Sequence, residues 1–463
     1  MSSTDVFAPI AEKMAAEGLP QVAIDAFRHD YGRLRAGEQG KIPASEIDPV
    51  DDLPDAEQLD GARAAGVAAL DRAIVLKLNG GLGTSMGLSR AKSLLPAKDG
   101  RSFLDIIVAQ TLHLRRTYGC RLPLVLMNSF RTREDSAAVL AGHPDIAADV
   151  PADFLQHKVP RILAADLTPV TWTANPEHEW CPPGHGDIYP ALLTSGMLGA
   201  LLEAGYEYAF VSNADNLGAV LDPDILGWFA ASKAPFLMEV LDRTEADKKG
   251  GHLARRRDGR LVLREIAQCP DDELDAFQDV RRYRWFNANN LWLHLPALAD
   301  LLRARGGVLG LPLIVNKKPV DPDDPASPAV VQLETAMGAA IGVFDGARAL
   351  RVPRARFVPV KTTGDLLLLW SDFYRLEADF RVTAPPGRQP GDVVVDLDPA
   401  HFRQVTDLER RLPKGAPSLA RCRRLTVRGD VRFGAGVVIE GDVRIAAPAG
   451  ESLTVADGTR LTA

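Results

Sequence analysis

The chain of 463 residues has little cysteine, no long apolar run and no excess of basic charge. Its four cysteines are Cys120, Cys181, Cys269 and Cys422. No two of them form a CxxC pair, which argues against a zinc knuckle or a disulfide scaffold. No stretch of about 18 apolar residues occurs, and the N-terminal residues lack the apolar core of a secretion signal. The net charge of −7 leaves no electrostatic footprint for nucleic acid or an anionic membrane. We therefore expect a soluble, cytoplasmic protein.

The first two segments of the chain differ in their residue pattern. Residues 1–70 are polar and Ala-rich, and predict an N-terminal helical segment. Residues 71–380 contain short apolar runs that alternate with helix-like segments such as 102–118 and 191–204. The runs are 73–78, 123–128, 206–213, 235–241, 261–266 and 311–316. Continuous apolar runs are typical of strands buried on both faces, so this segment predicts an α/β domain with a parallel or mixed sheet.

The C-terminal segment, residues 381–463, begins with a Pro- and Gly-rich linker at 384–392. Beyond the linker, VRGDVRF (427–433) and IEGDVRI (439–445) share a Gly-Asp turn, twelve residues apart. Short strands with regular glycine turns favour a small β-solenoid. A plain β-meander is the competing interpretation.

The clearest local motif is KLNGGLGTSMG, residues 77–87, which follows the first apolar run. Its glycines free the backbone to turn sharply and to bring N–H groups close to an anion. The spacing fits neither a Walker loop nor the dinucleotide fingerprint. Lys92 follows the loop and is placed to direct an ammonium at a bound phosphate. A glycine-rich surface turn is the alternative.

Two more motifs contain candidate ligand contacts. In WCPPGHGDIY (180–189), glycines on both sides of His185 expose the backbone, and the imidazole is a hydrogen-bond donor in either tautomer. In FVSNADNL (210–217), an apolar strand ends in Asp215, at the sheet edge where ligands bind. A lone carboxylate suits Mg²⁺, which takes one or two protein carboxylates plus phosphate oxygens and water. An Asx turn that closes the strand is the alternative.

The remaining motifs suggest a sugar and a second phosphate contact. FNANNLW (286–292), with Glu265 upstream, places amides and a carboxylate beside aromatic residues, as recognition of sugar hydroxyls requires. An asparagine-rich turn is the alternative. Lys361 in PVKTTGDL (359–366) lies between a strand and a helix start, which suits a phosphate. Since hydrolase-elbow, HExxH and kinase motifs are absent from the sequence, no covalent nucleophile is nominated.

In this order the motifs resemble those of the eukaryotic-type UTP–glucose-1-phosphate uridylyltransferases. The resemblance spans about 75–375 and rests on KLNGGLGTSMG (77–87), VLMNSF (125–130), PPGHGDIY (182–189), VSNADNLGA (211–219), KGG (249–251), EIAQCP (265–270), FNANNLW (286–292), QLETAMGAAI (332–341) and VPVKTTGDLLL (358–368). It implies an α/β fold: a nucleotidyltransferase-type, Rossmann-like central domain with a mixed sheet at 71–380, plus a C-terminal left-handed β-helix at 381–463.

The resemblance also implies a reaction. The uridylyl group of UTP passes to glucose 1-phosphate, giving UDP-glucose and pyrophosphate, reversibly and with Mg²⁺ as cofactor. The implied nucleotide contacts are Leu78, Asn79, Gly80, Gly81, Lys92, Gln156, Gly184, Asn213, Ala214, Asp215 and Lys361. The implied glucose 1-phosphate contacts are His185, Gly80, Gly81, Glu265 and Asn287. Asp215 is the implied metal ligand, and Lys361 and Lys92 are the implied catalytic cations.

The implied partners are the small molecules UTP and glucose 1-phosphate, with a possible homo-oligomer formed through the C-terminal domain. Two other functions stay open: a UDP-sugar pyrophosphorylase of broader specificity, and a catalytically silent nucleotide-sugar-binding protein. The chain also departs from the family pattern. LSRAKS (88–93) replaces the usual Cys-Lys-Gly-Pro-Lys-Ser, and Gly364 stands where the family usually has serine.

Overall fold

The computed structural model describes residues 6–462. The helices are α1 (Ala8–Ala16), α2 (Gln21–Arg35), α3 (Ala62–Ala69), α4 (Phe103–Tyr118), α5 (Arg133–Ala141), α6 (Ile188–Thr194), α7 (Met197–Glu203), α8 (Pro223–Ser232), α9 (Leu274–Phe277), α10 (Leu295–Ala304), α11 (Thr363–Trp370), α12 (Pro399–Phe402) and α13 (Val405–Arg411). Within the described part of the chain, no helix has the length and apolar character needed to cross a bilayer.

The strands are β1 (Ile47–Pro49), β2 (Ala73–Asn79), β3 (Pro96–Lys98), β4 (Arg101–Ser102), β5 (Leu124–Asn128), β6 (Asp153–Leu155), β7 (Val159–Pro160), β8 (Ile162–Leu163), β9 (Trp180–Cys181), β10 (Tyr208–Asn213), β11 (Phe236–Asp242), β12 (His252–Arg256), β13 (Leu261–Arg264), β14 (Trp285–His294), β15 (Leu313–Pro319), β16 (Ala329–Thr335), β17 (Arg348–Arg351), β18 (Arg375–Leu376), β19 (Val382–Thr383), β20 (Val394–Leu397), β21 (Ser418–Arg428), β22 (Asp430–Phe433), β23 (Val438–Ala446), β24 (Ser452–Val455) and β25 (Arg460–Thr462).

Ten strands form one mixed sheet in the middle of the molecule. Its order is β1-β12-β14-β10-β2-β5-β6, with β13 beside β12, β11 beside β14 and β17 beside β11. The strands β10, β2, β5 and β6 run parallel, whereas β14 is antiparallel to both β10 and β11. The mixed α/β architecture expected from the sequence is therefore confirmed.

Most of the apolar runs become strands of this sheet. Five of them form β2, β5, β10, β11 and β13. The run at 311–316 differs, because it contributes to β15 in a separate sheet of order β15-β16-β8. There β15 is an edge strand, and most of its residues are partly or fully exposed. An apolar run marks a strand in both cases, but only the tertiary arrangement decides whether both faces are covered.

The two predicted helical stretches are also present, with one break. Ser102 and Asp105 form a capping box at the start of α4, and Gly119 ends the helix with φ +62°. The stretch at 191–204 is divided into α6 and α7 at Gly196, which has φ +76°. Glycine adopts this backbone conformation at little cost, so the break needs no strained residue.

Both end segments pack onto the middle of the chain. In the N-terminal segment, β1 pairs with β12 of the central sheet, and α1 and α2 pack against β7 and the small sheet around β15. The C-terminal segment shares one apolar core with the central domain. Its strands form parallel sheets of order β20-β21-β23-β25 and β22-β24. Parallel pairing excludes the β-meander, whose neighbouring strands are antiparallel. The boundaries at 70 and 380 stay predictions.

Candidate active site

The candidate site lies at the carboxyl ends of the parallel strands β2, β5 and β10. Leu78 in β2 pairs with Met127 in β5 and with Asn213 in β10, so the loops that follow these strands begin side by side. The Ala214 N–H donates to the Leu78 carbonyl at 3.0 Å and joins the start of the loop after β10 directly to the end of β2. Ligands in open α/β sheets bind at this edge, as the sequence predicted.

The glycine-rich loop folds back toward Lys92. Gly83 and Gly87 have φ +66° and +76° and flank a single 3₁₀ turn at Thr84–Met86. The Lys92 N–H donates to the Gly81 carbonyl at 3.0 Å, which fixes the return of the chain. The Lys92 ammonium then donates to Asp215 Oδ2 at 2.7 Å. Two candidate residues that lie far apart in sequence are therefore in direct contact.

The Asn79 side chain is used inside the protein. It is buried, and its Nδ2 donates to Asn128 Oδ1 and to Ser136 Oγ, each at 2.7 Å. These two bonds use both N–H groups of the amide. Asn79 therefore has no side-chain N–H left to donate to a nucleotide, and its side chain joins the end of β2 to the end of β5 and to α5.

A second cluster brings Gly80, Gln156 and Gly184 together. Gln156 Nε2 donates to the Gly184 carbonyl at 3.0 Å. A Cβ placed at Gly80 would lie only 2.8 Å from Gln156 Oε1, so glycine is what allows this approach. Gly184 has φ +79°, and a Cβ there would collide with the Thr335 backbone. The glycine and glutamine positions named from the sequence therefore form one wall of the site.

His185 is held as a neutral imidazole. Its Nδ1 accepts a hydrogen bond from the Met337 N–H at 2.9 Å, which places the ring proton on Nε2. Burial lowers the pKa of His185 to about 4, because the imidazolium would be poorly solvated. The ring is therefore a fixed donor through Nε2 near neutral pH. Met337 comes from the QLETAMG motif, which the sequence analysis quoted without a role.

The loop containing Asp215 is tied to the strand end containing Lys361. The Val360 N–H donates to the Asp215 carbonyl at 3.1 Å. Asn216 Oδ1 accepts from the Val358 N–H at 2.8 Å. Lys361 itself is exposed, and its N–H donates to Asp365 Oδ2 at 2.9 Å at the start of α11. The backbone at Val360 and Lys361 is thus held by hydrogen bonds, which fixes the point from which the Lys361 side chain extends.

Behind this connection lies a buried polar network that the sequence analysis missed. Glu239 is fully buried, and its carboxylate accepts from Arg356 Nε at 2.8 Å and Nη2 at 2.6 Å. It also accepts from Asn290 Nδ2 and Trp292 Nε1, each at 2.9 Å. Asn216 Nδ2 donates to the Arg356 carbonyl at 3.2 Å, which links the network to the Asp215 loop. The sequence feature that could have indicated this network is the charged residue inside the apolar strand FLMEVLD.

Glu265 and Asn287 lie on either side of Gly251. The Asn287 N–H donates to the Gly251 carbonyl at 3.0 Å, and a Cβ at Gly251 would lie 2.6 Å from the Glu265 carboxylate. Burial raises the pKa of Glu265, and the positive charge of Lys361 partly offsets that rise. The structure thus places both candidate sugar contacts together, within electrostatic reach of the candidate catalytic cation.

The residues suited to a metal ion are few. Within residues 6–462, no group of three or more His, Cys, Asp or Glu side chains forms a preassembled metal site. Asp215 offers a single carboxylate, and that carboxylate is paired with Lys92. One carboxylate is a sufficient protein contribution for Mg²⁺ when substrate phosphates provide further oxygens. The donor set therefore fits a Mg²⁺ ion that Asp215 would hold together with substrate phosphates.

A mixed α/β sheet whose carboxyl edge bears a glycine loop, two lysines and a carboxylate defines a protein that binds a phosphorylated ligand. Comparison with known proteins gives the family. The sequence model of the UTP–glucose-1-phosphate uridylyltransferases matches residues 24–440. The chain belongs to this family.

Individual relatives match along nearly the whole chain. The UTP–glucose-1-phosphate uridylyltransferase of Hordeum vulgare is 41% identical over 439 residues, covering 93% of this chain and 90% of its own. That of Saccharomyces cerevisiae is 40% identical over 396 residues, covering 85% and 78%. A variant UDP-glucose pyrophosphorylase of Leishmania major, solved in complex with UDP-glucose, is 44% identical with a TM-score of 0.93, covering 100% of this chain and 99% of the other.

Proposed function

We propose that this protein transfers the uridylyl group of UTP to glucose 1-phosphate, forming UDP-glucose and pyrophosphate. The observation that supports it most is the full-length similarity, at 44% identity and TM-score 0.93, to an enzyme solved with UDP-glucose. The arrangement of the site agrees with this activity. One wall of the site is suited to the nucleoside and consists of Gly80, Gln156 and Gly184. The charged side chains suited to binding phosphates are those of Lys92, Asp215 and Lys361.

The chemistry requires positioning and charge stabilisation. A phosphate oxygen of glucose 1-phosphate attacks the α-phosphorus of UTP, the bond from that phosphorus to the bridging oxygen breaks, and pyrophosphate leaves in line. The nucleophile is already an anion, so no general base is needed. Lys92 and Lys361 stabilise the charge that develops on the transferring and leaving phosphates. The neutral His185 donates through Nε2 to the sugar phosphate without adding a titrating charge.

The metal forms part of the proposal. Asp215 would be the protein ligand of Mg²⁺, which supplies charge neutralisation at the phosphates when bound. Because Lys92 donates to the Asp215 carboxylate, a bound metal ion would share that carboxylate with the lysine. The sequence-based expectations of a left-handed β-helix at 381–463, homo-oligomerisation through it and a cytoplasmic location also stay proposals. The parallel strands of the C-terminal sheets support the first of these.

The activity is tested with purified protein, UTP and a panel of sugar 1-phosphates. We expect release of pyrophosphate and formation of UDP-glucose, with loss of turnover when EDTA removes the divalent ion and recovery when Mg²⁺ is restored. Equal turnover with galactose 1-phosphate or N-acetylhexosamine 1-phosphate would favour the broader-specificity enzyme. Binding of UDP-glucose without any turnover would identify a silent binding protein.

The catalytic role of Lys361 gives a separate test. Removing one charge-stabilising donor from a transition state lowers kcat by roughly 10²–10³-fold. We expect Lys361→Ala to cause a loss of this size with an unchanged circular-dichroism spectrum, because the Lys361 side chain is exposed. Lys317→Ala, at another exposed lysine on β15, is the matched control. Normal turnover by Lys361→Ala would contradict the assigned role.

A further inference from the structure

Three polar side chains are buried together on one face of the hairpin formed by β12 and β13. His252 in β12 and Arg264 in β13 are opposite each other in the register of the two strands, so their side chains are neighbours on that face. The ring of Tyr283 is stacked on His252, with 3.9 Å between the ring centroids. All three residues are 0% exposed. We call these three residues the β12–β13 cluster.

Apolar residues enclose the β12–β13 cluster. Phe277 is fully buried, and its ring centroid lies 4.8 Å from that of His252 and 5.7 Å from Arg264 Cζ. Ile42, from the N-terminal segment, belongs to the same apolar core as Tyr283. The polar atoms of the cluster are therefore shielded from bulk solvent.

Four polar atoms of the cluster have no hydrogen-bond partner among the described residues of the chain. They are His252 Nε2, Arg264 Nε, Arg264 Nη1 and the Tyr283 hydroxyl. Buried polar groups in native proteins are almost always paired, because an unpaired one pays its full desolvation penalty. Four such atoms in three neighbouring residues indicate a bound group that accepts hydrogen bonds.

Arg264 provides most of this hydrogen-bonding capacity. It forms an ion pair with Glu273 through Nη2, while its Nε and Nη1 carry three further N–H donors. The Glu273 side chain is 24% exposed, and its Oε2 also accepts from the Ala44 N–H at 2.8 Å. The guanidinium can therefore hold a second acceptor without releasing Glu273.

The electrostatic environment favours a negatively charged acceptor. A second buried guanidinium, that of Arg243, donates to backbone carbonyls, and its charge is partly offset by Asp247 and Asp279. Burial, followed by the charges of Arg243 and Arg264, lowers the pKa of His252 well below its usual range. The positive potential that disfavours a second proton on His252 would stabilise an anion beside it.

The other two members of the cluster can also donate to an anion. His252 Nδ1 lies 3.5 Å from the Leu253 carbonyl, which is too long a contact to hold the ring proton at Nδ1. The neutral imidazole can therefore carry its proton on Nε2. The Tyr283 hydroxyl rotates to suit its partner and donates as well.

We propose that the β12–β13 cluster binds a small monovalent inorganic anion, such as chloride, through Arg264, His252 and Tyr283. The cost of moving an ion from water into an enclosed site rises steeply with its charge, so chloride is favoured over phosphate or sulfate. The inference does not rest on the proposed function, because none of these three residues is assigned to the substrates.

The direct test is a crystal of the full-length protein grown in sodium bromide, with diffraction data collected at the bromine absorption edge. We expect an anomalous peak within hydrogen-bond distance of Arg264 Nη1 and the Tyr283 hydroxyl. Density for water without an anomalous peak would overturn the inference, and so would side chains that meet no bound group at all.

The second test measures the melting temperature of the unmodified protein in sodium bromide and in sodium gluconate at equal ionic strength. Gluconate is too large to enter the enclosed cluster. An ion that binds only the folded chain should raise the melting temperature by about 3 °C at a concentration of roughly one hundred times its Kd. The titration also gives the half-saturating bromide concentration.

Two variants assign the effect to the cluster. Tyr283→Phe removes one donor and keeps the ring, so the half-saturating bromide concentration should rise roughly tenfold. Arg257→Met, at an exposed arginine in the turn between β12 and β13, is the control and should leave that concentration unchanged. An unchanged value in Tyr283→Phe would contradict the inference. A bromide peak in the crystal without any response of the melting temperature would show an adventitious ion only, and would also overturn it.

Discussion

The buried carboxylate of Glu239 allows a quantitative prediction about the stability of the site. Its side chain is 0% exposed, and it accepts four hydrogen bonds, from Arg356 Nε and Nη2, Asn290 Nδ2 and Trp292 Nε1. In Glu239→Gln the carboxylate charge is lost, and an amide N–H replaces one of the accepting oxygens. The Arg356 guanidinium then stays buried without its closest counter-charge, next to a donor it cannot bond, and only the Asp222 carboxylate at 4.0 Å still opposes its charge.

Breaking a buried ion pair from one side costs about 3–5 kcal/mol, chiefly because the remaining charge is uncompensated. We expect a loss of this size in the free energy of unfolding of Glu239→Gln. It is a large share of the roughly 5–15 kcal/mol that typically holds a domain folded. The measurement is a urea titration followed by circular dichroism. Removing both charges in Glu239→Leu/Arg356→Met should recover part of the loss, since no buried charge is left unpaired.

The control lies at the end of the same strand. Asp242 is paired with Arg351 and its side chain is 53% exposed, so Asp242→Asn should cost less than about 1 kcal/mol. If Glu239→Gln unfolds within about 1 kcal/mol of the unmodified protein, the carboxylate is not the counter-charge of Arg356, and the reasoning fails. A double variant less stable than Glu239→Gln would contradict it equally.

Two further predictions concern the packing and charge around the site. Gly364→Ser should lower the melting temperature, because a Cβ at Gly364 would lie 2.6 Å from the Val395 carbonyl oxygen. Overpacking of this kind costs about 1–3 kcal/mol. An unchanged melting temperature would show that β20 moves freely. Burial, followed by the charge of Arg356, lowers the pKa of Lys77 from 10.5 to about 7. Between these values the unfolded chain binds more protons, so stability should rise with pH by up to about 1.4 kcal/mol per unit. Lys77→Met should abolish that rise in denaturant titrations at pH 7 to 10, and an unaltered pH dependence would show that Lys77 stays charged.

The strands and glycine turns were predictable because their causes are local. Buried strands leave continuous apolar runs, and a sharp turn such as that at Gly83 needs a backbone that only glycine adopts easily. Both features can be read from a few consecutive residues. The contact between Lys92 and Asp215 was not predictable in this way, although each residue was named, because the two meet only where β2 and β10 end side by side.

The supporting residues were missed for the same reason. The network joins three distant segments, which contribute Glu239, Arg356 and Asn216. The short motif around any one of these residues does not indicate the other two. The bond between Asn287 and Asn289 is local in sequence, yet it lies where the pairing of β14 with β11 shifts register between Met238 and Val240, and a register exists only once the two strands pair.

By itself the sequence determined that this chain is an α/β protein with a glycine loop followed by a lysine, and a carboxylate at a strand end. Hydrophobic periodicity and the conformational freedom of glycine act over a few residues, so both can be recognised from short stretches of sequence. Only the tertiary structure decided which charge faces which, which amide is fixed and which carboxylate is buried. Hydrogen bonds and burial depend on atoms brought together from distant segments, and their partners exist only once the sheet has formed.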